Sequence, residues 1–152
     1  MKQLWGAVEF VRMFRWKLQF GELSRAPMKL LKLHLEGELA ECDWVARSHD
    51  PWDTSLAPQI GQRHASEQAL HDAIAVRELL FRALPELQTA AFRIYREMTN
   101  TDPELVIAGI VDRGDEVANV PSPAMRARLC GLRFWLEDGI LGVLGPEEAV
   151  LR

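Results

Sequence analysis

The apolar residues of this chain recur with two different periods, and these periods constrain its fold more than any motif does. On either side of Glu36-Gly37-Glu38, apolar and polar side chains alternate, and the apolar positions are Leu31, Leu33, Leu35, Ala40, Cys42 and Trp44. Strict alternation is the spacing of a strand with one buried face, because successive side chains of a strand point to opposite faces. Two alternating runs around a glycine-containing turn predict a β-hairpin over about residues 28–47.

A second pair of runs follows later in the chain. The stretch TAAFRIYREM alternates in the same way, with Ala90, Phe92 and Ile94 on one face. The stretch ELVIAGIV is apolar at nearly every position, as expected for a strand that is buried on both faces. The connection MTNTDPE suits a hairpin loop, so a second hairpin is predicted over about residues 88–112.

Three longer segments have the three-and-four spacing of an amphipathic helix, and they predict helices over about residues 3–20, 66–84 and 123–137. The first has an apolar seam formed by Leu4, Ala7, Val11, Phe14 and Leu18. Ser66 and Ser122 suit helix N-caps, and Pro123 suits a first helical position. Asp138-Gly139 leaves two interpretations of residues 130–144: the end of the last helix, which we favour, or the turn of a final hairpin.

These elements predict an α+β fold: a single domain over residues 1–152, with an antiparallel sheet made from two hairpins and packed with three helices. The order of elements resembles that of the small dimeric chaperones of bacterial secretion systems. The resemblance is one of topology alone. The chain departs from it in its clear first hairpin and in having no evident third strand before the second helix, so no functional residue is transferred.

The composition is that of an ordinary globular protein, with 48% apolar and 26% charged residues. The net charge of −4 argues against a general nucleic-acid binder, because phosphate binding depends on Lys and Arg. The two cysteines, Cys42 and Cys130, lack the spacing of a disulfide framework or a zinc site, and we expect both to be reduced and buried. No apolar run reaches about 20 residues and no secretory signal is evident, which predicts a cytoplasmic protein.

The loop SHDPWD is the first candidate site. His49, Asp50 and Asp53 could act as general acid and base or as metal ligands, with Trp52 beside them. The same residues also suit a turn with local caps. The histidines and Glu of the second helix, at His64, Glu67 and His71, lack the arrangement in which two histidines flank a catalytic Glu, and we interpret them as a solvated face.

The N-terminal segment is the second candidate. Residues 1–20 contain four Lys or Arg and one Glu, whereas the remainder contains fourteen Lys or Arg and twenty-one acidic residues. The candidate interaction surface of this basic aromatic helix is Trp5, Arg12, Arg15, Trp16 and Lys17. Three interpretations remain open: packing on the chain's own sheet, contact with a partner or second copy, and attachment to a membrane surface.

Arg126 and Arg133 are seven residues apart and would share one face of the predicted last helix, where they could bind an anion. The chain has no phosphate-binding glycine loop, nucleophile elbow or Cys-x-x-Cys pair, and no cofactor or metal is predicted. The preferred hypothesis is a non-enzymatic protein-interaction or regulatory domain that self-associates. Its partner is a second copy of the chain, in a homodimer, or another protein. The alternatives are a hydrolase-type or metal-dependent enzyme with its site at residues 48–53, and a peripheral membrane protein that attaches through residues 1–20.

Overall fold

The computed structural model describes residues 12–13, 28–47, 57–114 and 120–147. The strands are β1 (Lys29–Glu36), β2 (Leu39–Val45), β3 (Thr89–Arg96), β4 (Glu104–Asp112), β5 (Leu132–Arg133), β6 (Leu136–Glu137) and β7 (Ile140–Leu141). The helices are α1 (Pro58–Ala83) and α2 (Pro123–Leu129).

The first five strands form a mixed sheet in the order β1-β2-β3-β4-β5, and β6 and β7 form a separate two-stranded sheet. Neighbours in the larger sheet are antiparallel except for β2 and β3, which are parallel. Parallel neighbours need a crossover, and α1 supplies it. The chain is therefore α+β overall, but the predicted antiparallel sheet made from two hairpins and packed with three helices is wrong.

The predicted helix over residues 66–84 is wrong at its start. Helix α1 begins at Pro58, whose fixed φ and missing N–H suit the first helical turn. Ser66 is therefore not an N-cap. It lies inside α1, is 5% exposed, and its Oγ accepts the N–H of Leu141 at 3.0 Å.

The predicted helix over residues 123–137 is wrong at its end. Helix α2 stops at Leu129 because Gly131 has φ +105°, a backbone conformation outside the helical region. Strands β6 and β7 then pair around Asp138 (φ 53°) and Gly139 (φ 78°). Positive φ at both central residues is the requirement of a type I′ hairpin turn, so the hairpin interpretation is the correct one.

The predicted helix over residues 3–20 lies outside the described residues except at Arg12 and Met13. Both of these residues are helical and both are exposed.

The core lies between α1 and one face of the sheet. The alternating residues of β2 and β3 meet in register on this face, since Ala40 pairs with Ala90, Cys42 with Phe92 and Trp44 with Ile94. All six are fully buried. They pack in one cluster with apolar residues of α1, which include Leu70, Ala73, Ile74, Val76 and Leu80.

Both cysteines are buried and neither forms a disulfide, as predicted. Burial raises the pKa of the Cys42 thiol well above its ordinary value, because the apolar core disfavours the thiolate. Asp43 points to the opposite face of the sheet from Cys42, so the two side chains cannot act on one atom.

Candidate functional site

The predicted site loop, with His49, Asp50, Trp52 and Asp53, lies outside the described residues. Within the described ranges, no three His, Cys, Asp or Glu residues lie close enough together to hold a metal ion. His64, Glu67 and His71 are exposed along α1.

The two candidate anion-binding arginines are on different elements. Arg126 is in α2, and its Nη2 lies 3.9 Å from Oε1 of Glu78 in α1. Arg133 is in β5, where it pairs with Ala108. They do not share a helix face, because α2 ends before Arg133, and their binding of an anion stays a prediction.

A buried ion pair joins the chain just after β2 to α1. Arg47 donates from Nε to Oδ2 of Asp72 at 2.8 Å and from Nη2 to Oδ1 at 2.9 Å. Gln68 donates a third hydrogen bond to Asp72 at 2.8 Å. The Asp72 side chain is 2% exposed, and burial raises its pKa, an effect that Arg47 partly offsets. This pair fixes the end of a central strand on the crossover helix.

An open cavity of about 280 Å³ lies between the first turns of α1 and the β6–β7 hairpin, and it is lined by Gln59, Arg63, Glu137, Asp138, Ile140, Leu141 and Gly142. Arg63 Nε donates to the carbonyl of Asp138 at 2.7 Å. Arg96 Nη1 donates to the carbonyl of Leu141, whose N–H is held by Ser66. These hydrogen bonds hold the β6–β7 hairpin against α1 and β3. They occupy the carbonyl of Asp138 and both backbone groups of Leu141.

The face of the sheet that points away from α1, called here the outer face, carries a row of charges. Lys32 of β1 pairs with Asp43 of β2 in the strand register, and Asp43 pairs with Arg93 of β3. Lys32 Nζ lies 2.8 Å from Oε2 of Glu41, and Arg93 Nη1 lies 3.8 Å from Oδ1 of Asp43. The side chain of Asp43 is only 14% exposed, and burial raises its pKa despite the attraction of Arg93 and Lys32.

The raised pKa of Asp43 predicts a change of stability with pH. Because the folded state disfavours the ionised carboxylate, this group stabilises the fold most below its unfolded-state pKa. The contribution is lost as the pH rises through the folded-state pKa. Asp43→Asn cannot ionise, so its free energy of unfolding should rise relative to that of the original protein between about pH 3 and about pH 7. Urea unfolding at a series of pH values measures this difference, and a constant difference would contradict the assignment.

Several large apolar side chains near the C-terminal end of the described chain face solvent. Met125 and Leu129 are each 56% exposed, Trp135 is 59% exposed and Val143 is 51% exposed. Met125 and Leu129 are four residues apart on α2 and so lie on one side of it. Gly142, which precedes Val143 in the chain, donates its N–H to the Trp135 carbonyl at 2.9 Å. We call these four residues the C-terminal apolar group.

The C-terminal apolar group was missed in the sequence because Met125 and Leu129 lie within the helix predicted over residues 123–137, where their three-and-four apolar spacing indicated a buried side. Because α2 ends at Leu129, Met125 and Leu129 do not face the core, and both are exposed. Their packing side is taken by Ala127 and Cys130, which are buried in the core cluster with residues of α1.

Comparisons with protein-family models, with curated proteins and with solved structures found no match to this chain. Within the described residues, no helix is long and apolar enough to cross a membrane.

Proposed function

We propose that this protein is a non-enzymatic protein-interaction domain of the cytoplasm that self-associates. The observation that carries the proposal is the C-terminal apolar group, in which all four side chains are more than half exposed. Met125 and Leu129 lie on one side of α2, and neighbouring exposed apolar side chains of this kind are typical of protein-protein contact surfaces. The two buried cysteines form no disulfide, which is compatible with a reducing compartment.

Charge around the C-terminal apolar group favours a second copy as the partner. Helix α2 carries Arg126 and Arg128 beside the apolar pair Met125 and Leu129. The β6–β7 hairpin carries Glu137 and Asp138 near Trp135. In a twofold contact, the same patch meets itself, so the basic helix of one copy can face the acidic hairpin of the other around an apolar centre.

We expect the double substitution Met125→Ser with Leu129→Ser to weaken self-association by about tenfold or more, because it removes two apolar side chains from the centre of the contact. Sedimentation equilibrium over a range of concentrations measures the dissociation constant. The matched control is Leu31→Ser with Met98→Ser. These residues are 44% and 37% exposed and lie on β1 and on the β3–β4 loop.

The control pair should leave the dissociation constant within about twofold of the original, since surface substitutions away from a contact have small effects. A protein that is monomeric at every concentration would contradict self-association. Equal weakening by both double substitutions would contradict the assignment of the contact to α2.

The N-terminal surface of Trp5, Arg12, Arg15, Trp16 and Lys17 remains a prediction for a second contact with itself or with another protein. Of these residues only Arg12 is described, and it is exposed on a helical segment.

A further inference from the structure

The edge of β1 that faces away from β2, called here the β1 edge, is the longer of the two edges of the five-stranded sheet. Strand β1 has eight residues, whereas β5 at the opposite edge has two. Within the described residues, no strand pairs with the β1 edge. The side chains of Lys32, His34 and Glu36 are 50%, 57% and 80% exposed. An open edge of this kind is a template for pairing with another chain.

Two local features limit the part of the β1 edge that can pair regularly. The register with β2 shifts between Leu30 and Lys32, which marks a β-bulge. At the other end, Glu36 pairs with Leu39 across a two-residue turn. A bulge disrupts the regular ladder, and the turn ends the strand. The regular stretch of β1 is therefore residues 32–36.

The turn also fixes which backbone groups of this stretch point away from β2. The residues that close a two-residue hairpin turn are hydrogen-bonded to each other, so Glu36 bonds Leu39 of β2. Hydrogen-bonded and non-hydrogen-bonded pairs alternate along antiparallel strands, so every second residue before Glu36 also bonds β2. The N–H and C=O groups of Leu33 and Leu35 therefore point out from the β1 edge.

We propose that two copies of the chain pair through residues 32–36, antiparallel about a twofold axis at His34, so that the sheet of one copy continues into the sheet of the other. This register overlaps all five residues of the regular stretch. It places Lys32 opposite Glu36 of the second copy. It also places Leu33 opposite Leu35 of the second copy, and the twofold axis repeats both pairs. The order Lys-Leu-His-Leu-Glu is thus complementary to itself when it is reversed.

Each of these pairs favours the contact. The two pairs of Leu33 with Leu35 can exchange four backbone hydrogen bonds, because the backbone groups of both residues point outwards. The side chains of both leucines pack partly buried against the core cluster, and the second copy would cover them further. Lys32 and Glu36 lie on the outer face, where cross-strand pairs of opposite charge are stabilising and like charges directly opposite are destabilising.

The contact at the β1 edge is separate from the proposed contact at α2. Helix α2 packs beside β5, at the opposite edge of the sheet, so both contacts can form at once. Five paired residues bury much less than the roughly 1,000 Å² of a stable interface, so we expect the contact at the β1 edge to be the weaker of the two. Leu31 lies at the bulge, outside the paired stretch.

A charge exchange tests this register in the full-length chain, with Met125→Ser and Leu129→Ser present so that the α2 contact is removed. Sedimentation equilibrium at up to about 1 mM protein should show a monomer–dimer equilibrium for this starting chain. Adding Lys32→Glu or Glu36→Lys places like charges opposite each other twice, and each should raise the dissociation constant by about tenfold or more. The matched control is Glu67→Lys, which makes the same charge change as Glu36→Lys at an exposed position of α1. It should leave the constant within about twofold.

An equimolar mixture of the two charge variants separates pairing from a loss of folding. Lys32→Glu breaks only the exposed contact with Glu41, so both variants should remain folded. In the mixed dimer, the two acidic residues of one copy lie opposite the two lysines of the other, so the mixture should regain the starting dissociation constant to within about threefold. A single chain that carries both changes should dimerise in the same way.

The outcomes distinguish this contact from the one at α2. A starting chain that shows no dimer at about 1 mM, or charge variants whose mixture stays monomeric, would overturn pairing at the β1 edge. Equal weakening by Glu67→Lys would also overturn it. Every chain in this experiment lacks the α2 contact, so these results do not bear on the proposed function, which is tested by the effect of Met125→Ser with Leu129→Ser on the original protein.

Discussion

Replacement of Asp72 by alanine should lower the free energy of unfolding by about 3–5 kcal/mol. The carboxylate accepts two hydrogen bonds from Arg47 and one from Gln68, and it is 2% exposed. Its removal leaves the guanidinium of Arg47, which is 15% exposed, without its anion. A buried charge that has lost its partner retains the full desolvation cost and gains nothing in return. Urea unfolding followed by circular dichroism measures the change.

Substitution of Arg47, alone and together with Asp72, separates the cost of leaving one charge unpaired from the contribution of the ion pair to the free energy of unfolding. Arg47→Met should also cost several kcal/mol, because Asp72 is then the unpaired charge. Arg47→Met together with Asp72→Leu should cost less than either single change, since apolar side chains of similar volume replace both charges. A double variant less stable than both singles would contradict this account.

The exposed pair Lys32 and Glu41 is a matched control for burial. Its N–O distance is 2.8 Å, the same as the shorter contact of the buried pair, but its side chains are 50% and 35% exposed. Solvent screens such a pair, so Glu41→Ala should cost no more than about 1 kcal/mol. Similar losses for Glu41→Ala and Asp72→Ala would mean that distance, and not burial, sets the cost.

The period of the apolar residues carries much of the information about the sheet but none about which strands are neighbours. Alternation in residues 29–45 and 89–96 reflects strands with one face on the core. The parallel contact between β2 and β3 joins Cys42 to Phe92, and it is set by packing of α1 across both strands. A pattern within each strand does not encode that pairing, so the sheet was wrongly predicted to be antiparallel.

The helix ends were misjudged because tertiary contacts outweighed local signals. Ser66 suggested an N-cap, but its side chain is buried against the β6–β7 hairpin and accepts the N–H of Leu141. At the last helix, the apolar spacing through Leu136 suggested continuity. The positive φ values of Gly131, Asp138 and Gly139 instead specify a break and a tight turn, and Asp-Gly was the signal that could have identified it.

The Arg47–Asp72 ion pair and the C-terminal apolar group were harder to predict from the sequence than the strands and helices were. Arg47 and Asp72 are 25 residues apart, and their contact exists only because α1 packs across the end of β2. The exposure of Met125 and Leu129 depends on where α2 ends, and the apolar spacing that continues past Leu129 concealed that end. Local clusters such as His64 and His71 were correctly interpreted as a solvated face, since a helix wheel alone places them opposite the apolar side.

The close approach of β4 to β5 depends on two glycines. A Cβ on Gly109 would lie 2.4 Å from the carbonyl oxygen of Gly131, and a Cβ on Gly131 would lie 2.3 Å from that of Ile110. Both neighbours are backbone atoms that cannot turn away. Any side chain at either position must therefore separate the two strands, which are paired at Gly109–Leu132 and Ala108–Arg133.

Gly131→Ala should accordingly lower the free energy of unfolding by about 3 kcal/mol or more, because steric overlap adds to the strain of φ +105°. Three other alanine substitutions separate the two causes. Gly109→Ala has the overlap without the positive φ, and Gly37→Ala has φ +60° with nothing within 4 Å. Gly142→Ala has neither, since its nearest neighbour is at 3.7 Å.

The expected order of destabilisation is Gly131 first, then Gly109, then Gly37 at about 1 kcal/mol, with Gly142 within about 0.5 kcal/mol of the original protein. Thermal and urea unfolding of the four variants measure the series. The early end of α2 also depends on Gly131, so the same substitution should change the exposure of Met125 and Leu129 and weaken self-association. A Gly131→Ala variant as stable as Gly142→Ala would show that β5 moves freely away from β4, and the conformation assigned to residues 129–133 would then be wrong.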